Sequence, residues 1–283
     1  MPFDALTYAW NHPERLGPAL SGRFAADALG PWTRLDGSFD QLAEAVRPMT
    51  AAIVCGLRAD AMGLHVDARE VADAVTRDPI RLGGFAGIDP ISATWRDELE
   101  QAISLGLRGV CVAPAAQAVH PTHPHAMELW DLCQRRGLPV ISAPLGTKVG
   151  AGPIEFARPL AWDEPARAFP KLRILAVHGG GYLPAYSGRI DHAWGARRDS
   201  HGALPKPPTH YLRKIFFDNV VFTPHQLRYL VEVFGAGQIV MGTDYPYDMC
   251  DYDPVEHVIS AGLSAADTAA VAGGTARRLL GLD

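Results

Sequence analysis

The sequence predicts an α/β fold, a single (β/α)8 TIM barrel domain spanning residues 1–283. Three observations carry this reading. Short apolar runs alternate with helix-patterned segments almost throughout, and eight such units can be counted. The strand cores "AAIVCGL", "GVCVAP" and "RILAV" are near-continuously hydrophobic. Parallel strands buried on both faces read that way, whereas half-exposed antiparallel strands alternate. An open doubly wound sheet is the rival, but no GxGxxG follows the first strand to support it. A length of 283 residues suits one such barrel, and 48% hydrophobic with 20% charged residues is an ordinary globular balance.

Taken in order, strands are expected over 3–10, 51–57, 82–88, 109–114, 138–144, 173–180, 215–221 and 239–246. Between them, "FDQLAEAV", "REVADAVTRD", "RDELEQAISLG", "AMELWDLCQRRG" and "PHQLRYLVEVFG" space apolar residues by three and four, the period of one helix face. Gly106, Gly137 and Gly235 stand just past the last apolar residue of three of these and read as stop signals. A closing helix, "SAADTAAVAGGTARRLLGL", is weakened by Gly273 and Gly274. Two long connections, 11–38 and 189–213, interrupt the rhythm and are expected to be lids, substrate loops or oligomer contacts.

Composition narrows the function classes. A net charge of −5 without a long basic run argues against nucleic acid and anionic membranes as partners. No apolar stretch approaches the roughly 20 residues of a membrane span, and the N-terminus lacks a basic segment followed by an apolar core. The four cysteines are scattered, with no CxxC pair, and three of them sit in apolar segments, where they read as small buried hydrophobes of a reducing compartment. The expectation is a soluble, cytoplasmic protein acting on a small molecule.

In a barrel, chemistry gathers at the C-terminal ends of the strands. The sixth strand ends on His178, followed by Gly179–Gly181, and the eighth runs into Asp244. The glycines allow a sharp turn and a close approach to the backbone. An inward histidine and aspartate on two strand ends admit three readings: metal ligands, a general acid–base pair, or a structural pair that satisfies itself.

"AVHGGGYLPAYSGRIDH" and "GQIVMGTDYPY" resemble the sixth- and eighth-strand motifs of the amidohydrolase superfamily. The branch they are most similar to contains aminocarboxymuconate-semialdehyde decarboxylase and related barrel decarboxylases, hydratases and hydrolases. "RLGGFAGIDP", "LGLRGVCVAP", "HAMELWDLCQRRGLPV" and "YLRKIFFDNV" match that pattern too. The resemblance implies a (β/α)8 fold, an active site at the C-terminal rim and often a homodimer, here with Arg197 or Arg198 near the interface.

It also implies a His-x-His at the end of strand one and a histidine at strand five. Those positions hold Leu6 and Tyr8, with Asp4 in the expected place, and Ala143 (or Ser142, one residue away). Of the usual ligand set, His178 and Asp244 remain. A catalytic zinc takes about three protein ligands and an open position, and leucine and alanine supply none. The loop histidines His12, His192, His120, His123 and His125 are not read as replacements. The expectation is therefore no metal and no cofactor, with zinc as the lesser alternative.

The expected activity is a metal-independent, lyase-type step on a small carboxylated ring or diene: decarboxylation, elimination or isomerisation. Asp244 would be the general base, His178 would protonate or hydrogen-bond a developing oxyanion or enolate, and Tyr8 would supply a phenol. Lys148 and Arg189 are candidates for holding the substrate carboxylate, and Trp10, Tyr182 and Tyr245 for lining the pocket. Hydrolysis of an activated ester or lactone, with or without zinc, is the alternative, and a non-catalytic binding subunit is a third reading.

Overall fold

The computed structural model describes residues 1–17, 37–143, 162–247 and 249–282. Eight strands form one all-parallel sheet in chain order: β1 (Phe3–Tyr8), β2 (Ala51–Cys55), β3 (Leu82–Gly87), β4 (Gly109–Val112), β5 (Val140–Ser142), β6 (Ile174–Ala176), β7 (Phe216–Asp218) and β8 (Ile239–Val240). Every expected strand is present and shorter than its apolar run. Past several strand ends single backbone bonds continue the pairing, Ile88 N–H to Cys111 O at 3.0 Å and Ala143 N–H to Val112 O at 2.8 Å, so the apolar runs extend beyond the regular ladder.

The sheet curls until its ends meet. Ala5 N–H donates to Met241 O at 2.8 Å, Asp244 N–H to Leu6 O at 3.0 Å and Tyr8 N–H to Tyr245 O at 2.7 Å, and Thr7 bridges Tyr245 in parallel. The architecture is the expected barrel. At this seam β1 carries an irregularity that no alternation pattern predicts. Asp4 pairs with Ala52 but Thr7 with Val54, so β1 holds one extra residue, and the Asp4 carboxylate accepts Leu6 N–H at 3.1 Å across it.

The helices match their periodicity within a residue or two: Phe39–Ala45, Ala68–Thr76, Trp95–Ser104, Pro124–Arg136 and Pro224–Phe234. Trp95 and Trp130 on two of them are fully buried against the barrel. Gly137 takes the left-handed conformation at the end of its helix, as its position suggests. At Gly109 the reason for glycine is packing: a Cβ there would overlap the ring of Phe85, itself fully buried.

Three features depart from the sequence reading. The run 51–57 ends at Cys55, and Leu57–Ala59 instead pairs with Leu64–Val66 in an antiparallel hairpin. The break falls at Gly56, where a Cβ would meet Gly87 N at 2.8 Å. The closing helix divides into Ala265–Ala269 and Thr275–Leu280 around an irregular turn at the two glycines. The long connection after β6 is itself helical, with Ser187–Ala196, Arg198–His201 and Pro208–Leu212 gathered on a small cluster of Ala166, Leu204, Tyr211 and Trp194. Residues 18–36 of the first connection lie outside the described residues. Among those described, no helix is long and apolar enough to cross a membrane, and all four cysteines are buried free thiols.

Candidate active site

β6 ends at Ala176, and the next turn is built from residues with positive φ: His178 (57°), Gly179 (60°), Gly180 (72°) and Gly181 (58°). Glycine adopts this region freely. At Gly179 and Gly180 close packing adds a second reason, since a Cβ would overlap Val221 and Phe217. His178 has a Cβ, so its backbone is strained by roughly 1–2 kcal/mol. Asp244, just beyond β8, also lies in the left-handed region, at φ 63°. Strain at two residues that face each other is a mark of a functional site.

The two side chains meet across the barrel mouth. His178 Nε2 lies 3.2 Å from Asp244 Oδ2, with the aspartate buried and the imidazole about one-third exposed. The contact is ionic rather than an aligned hydrogen bond, and Nε2 has no hydrogen-bond partner. Burial works against charge on His178. The Asp244 carboxylate, by contact and by charge, and Asp218 behind it outweigh that, holding the imidazole above its ordinary pKa.

His178 lines two cavities. One, of about 280 Å³, reaches Asp244 and is walled by Val220, Val221, Phe222, Leu230 and Met249, with Gln226 and Tyr229 as polar members. The other, of about 350 Å³, is walled by Pro114, Pro121, Trp162 and Leu183, with Ser142 and Ala143 at its edge. The strand-five position where the resemblance leads one to expect a histidine therefore borders His178, and alanine leaves open space there. Neither cavity has a lysine or arginine among its described lining residues.

The remaining expected site residues divide. Tyr8 is buried at the end of β1, edge-on to Tyr247 at 5.1 Å. Burial first, then the neighbouring Cys111, Asp244, Cys55 and Tyr247, push its phenol far above the usual range, so it stays protonated. It lines neither cavity beside His178. Trp10 and Tyr245 face a different space, a groove of about 1280 Å³ shared with Thr243, Cys250 and Asp251. Tyr182 stacks on Tyr186 at 4.1 Å. Arg189 is exposed on the helix Ser187–Ala196, away from both cavities. Lys148 lies outside the described residues. His123 sits at the start of the helix Pro124–Arg136, and His120 and His125 are exposed beside it, in keeping with a helix-start loop.

The residue missed by the sequence reading is Asp218, at the end of β7. Its carboxylate is fully buried and accepts three backbone N–H groups: His178 at 2.9 Å, Gly179 at 2.8 Å and Val220 at 3.1 Å. Burial raises its pKa, against the pull of the His178 charge and those three donors. The signal was available, because "IFFDNV" is an apolar run ending in a carboxylate, like the runs that end in His178 and Asp244. Across the seam, Asp4 plays a comparable part. It accepts Thr243 N–H at 3.0 Å and Thr243 Oγ1–H at 2.7 Å, one residue before Asp244.

The chain is 27% identical over 234 residues to 2-amino-3-carboxymuconate-6-semialdehyde decarboxylase of Dictyostelium discoideum, a match covering 75% of this chain and 65% of that protein. It superposes, with a TM-score of 0.81 and 16% identity, on 5-carboxyvanillate decarboxylase of Novosphingobium aromaticivorans, covering 99% of this chain and 96% of the other. That protein was crystallised with manganese and 4-hydroxy-3-methoxy-5-nitrobenzoic acid. A dihydroxybenzoic acid decarboxylase of a Polaromonas species, with manganese and 2-nitroresorcinol, gives a TM-score of 0.76 at 18% identity, covering 99% and 97%.

These findings correct one expectation. The sequence reading assigned no metal and no cofactor, whereas neighbours of this fold hold manganese, which points to a metal cofactor rather than none. The residues present meet that requirement in part. An imidazole nitrogen and a carboxylate oxygen are suitable donors for a divalent transition metal, and His178 Nε2, without a hydrogen-bond partner, stands 3.2 Å from Asp244 Oδ2. Among the described residues no third His, Cys, Asp or Glu joins them. The lineage itself is plain: the model of the amidohydrolase family matches residues 36–282, and the chain belongs to that family.

Proposed function

We propose that the protein is a decarboxylase-type lyase acting on a small carboxylated ring or diene. One observation carries the reading: a strained His178–Asp244 pair, 3.2 Å apart, lines a largely apolar cavity, and His178 also borders a second one. The decarboxylases among the relatives and fold neighbours support it. Loss of carbon dioxide converts a carboxylate into a neutral gas, and an apolar wall disfavours the charge that is lost. The carbon that loses carbon dioxide must gain a proton.

In this reading Asp244 takes up a proton from solvent and delivers it to the ring carbon, while His178 orients the carboxyl group and balances its charge. The carbon–carboxylate bond then breaks, its electrons return to the ring, and carbon dioxide leaves. Each turnover consumes one proton and yields the ring carrying hydrogen in place of the carboxyl group. When a divalent metal is bound, with His178 and Asp244 as its protein donors, it supplies Lewis-acid polarisation of substrate oxygens. Hydrolysis of an ester or lactone finds no separate support in the site.

The test is carbon dioxide release from a panel of ortho-hydroxybenzoates and carboxyvanillates, with manganese present. Release should occur with at least one member, and Asp244→Asn should lower it by about 10²–10⁴-fold, the usual contribution of an acid–base group. If Asp244→Asn released carbon dioxide as fast as the parent protein, the assignment would be wrong.

A further inference from the structure

We propose that Asp218 is a positioning residue for the reactive pair: its carboxylate holds the His178 backbone in the left-handed turn that aims the imidazole at Asp244. The inference builds on the proposed reading of the pair, but its observations are independent of any substrate. Of the four successive positive-φ residues, three are glycines that occupy this region without strain. His178 is the exception, and some interaction must keep it from relaxing.

The structure supplies that interaction at one point. Asp218 Oδ2 accepts His178 N–H and Asp218 Oδ1 accepts Gly179 N–H, at 2.9 and 2.8 Å. Two successive N–H groups converging on one carboxylate make a concave anion-binding nest of the backbone. The carboxylate is in turn locked to its own strand end by Val220 N–H at 3.1 Å. β6 and β7 are paired beneath it, Ala176 against Phe217, so donor and acceptor sit on adjacent rigid strands. Among the described residues no lysine or arginine forms an ion pair with Asp218, so the His178 charge and the three backbone N–H groups carry the stabilisation of this buried carboxylate. A fourth glycine in the turn would need no such anchor. The residue anchored is the one that carries an imidazole. Asp244 is seated from the opposite side, its N–H on Leu6 O of β1 at 3.0 Å.

The experiment uses the full chain and NMR with labelled histidine and glycine, so no substrate is needed. In the wild-type protein the His178 and Gly179 amides should exchange with solvent about 100-fold more slowly than exposed loop amides, as buried hydrogen-bonded groups do. Asp218→Asn keeps a carbonyl for Gly179 and Val220 but turns an NH2 toward the His178 N–H. The His178 amide should then exchange about tenfold faster. The His178 ring signal, identified by its loss in His178→Asn, should move toward its position in Asp244→Asn, and adding Asp244→Asn to Asp218→Asn should move it little further.

The proposal is overturned if Asp218→Asn folds and leaves that ring signal in place, or if Asp244→Asn shifts it equally in both backgrounds. Should Asp218→Asn not fold, the wild-type exchange decides, and fast exchange at His178 and Gly179 overturns the proposal. An inactive protein with these signals intact would instead count against the decarboxylase reading.

Discussion

Asp4 is a buried carboxylate at the barrel seam whose ionisation works against folding. Burial pushes its pKa from the ordinary 3.8 up to about 7, overcoming the Thr243 hydroxyl and the Leu6 and Thr243 N–H groups that favour the charged form. A group whose folded pKa lies above its unfolded pKa lends stability that is complete below about pH 4 and is lost as pH rises through about 7. At about 1.4 kcal/mol per pH unit, that interval amounts to about 4 kcal/mol. This is a large fraction of the roughly 5–15 kcal/mol that holds a domain folded.

Asp4→Asn removes the titration and suits the site. The Asn NH2 can donate to Thr243 Oγ1, and the Thr243 hydroxyl can turn to Leu6 O, already 3.3 Å away. Urea unfolding of both proteins between pH 4.5 and 8 reads this residue together with its coupling to Asp244, because titrations remote from it cancel in the difference. The variant should lose less stability than the parent as pH rises, and should be the more stable of the two at pH 8. Parallel stability curves, or a variant weaker at pH 8, would refute the argument.

The other expectations test the site and the core. Manganese should raise the melting temperature, by the equivalent of about 2.7 kcal/mol at a hundredfold excess over Kd, and His178→Asn or Asp244→Asn should abolish the rise. No response at millimolar manganese would remove the pair as metal donors. Tyr8→Phe should keep turnover within about tenfold, since the phenol is buried, protonated and outside both cavities; a loss above 100-fold would make it a proton carrier. Gly109→Ala should cost about 1–3 kcal/mol in thermal unfolding, the range for overpacking a core, because its Cβ overlaps the buried Phe85 ring. An unchanged melting temperature would show that Phe85 yields.

The barrel was legible because burial on both faces leaves apolar runs that no other sheet type requires, and because the helices carry their own stop signals. The pair was legible for a different reason: a histidine before three glycines and an aspartate after an apolar run are costly in a core and useful at a rim. What the sequence concealed depends on contacts between distant segments. The extra residue in β1 leaves no trace in "FDALTY", since its stabilising bonds come partly from Thr243. Asp218 ends its run as Asp244 does, yet it spends its carboxylate on the backbone of its neighbour rather than facing the cavity.

The metal was misjudged because counting donors along strands treats each lost ligand as decisive. Leu6 and Ala143 do remove donors, but the Nε2 and Oδ2 that remain converge at 3.2 Å on backbones held in strained conformations. Strain at both positions is the observation that supports the proposed role of the pair. Both residues lie in the left-handed region and are anchored from opposite sides by Asp218 and Leu6, and the proposed role of the pair rests on that geometry rather than on a count of donors.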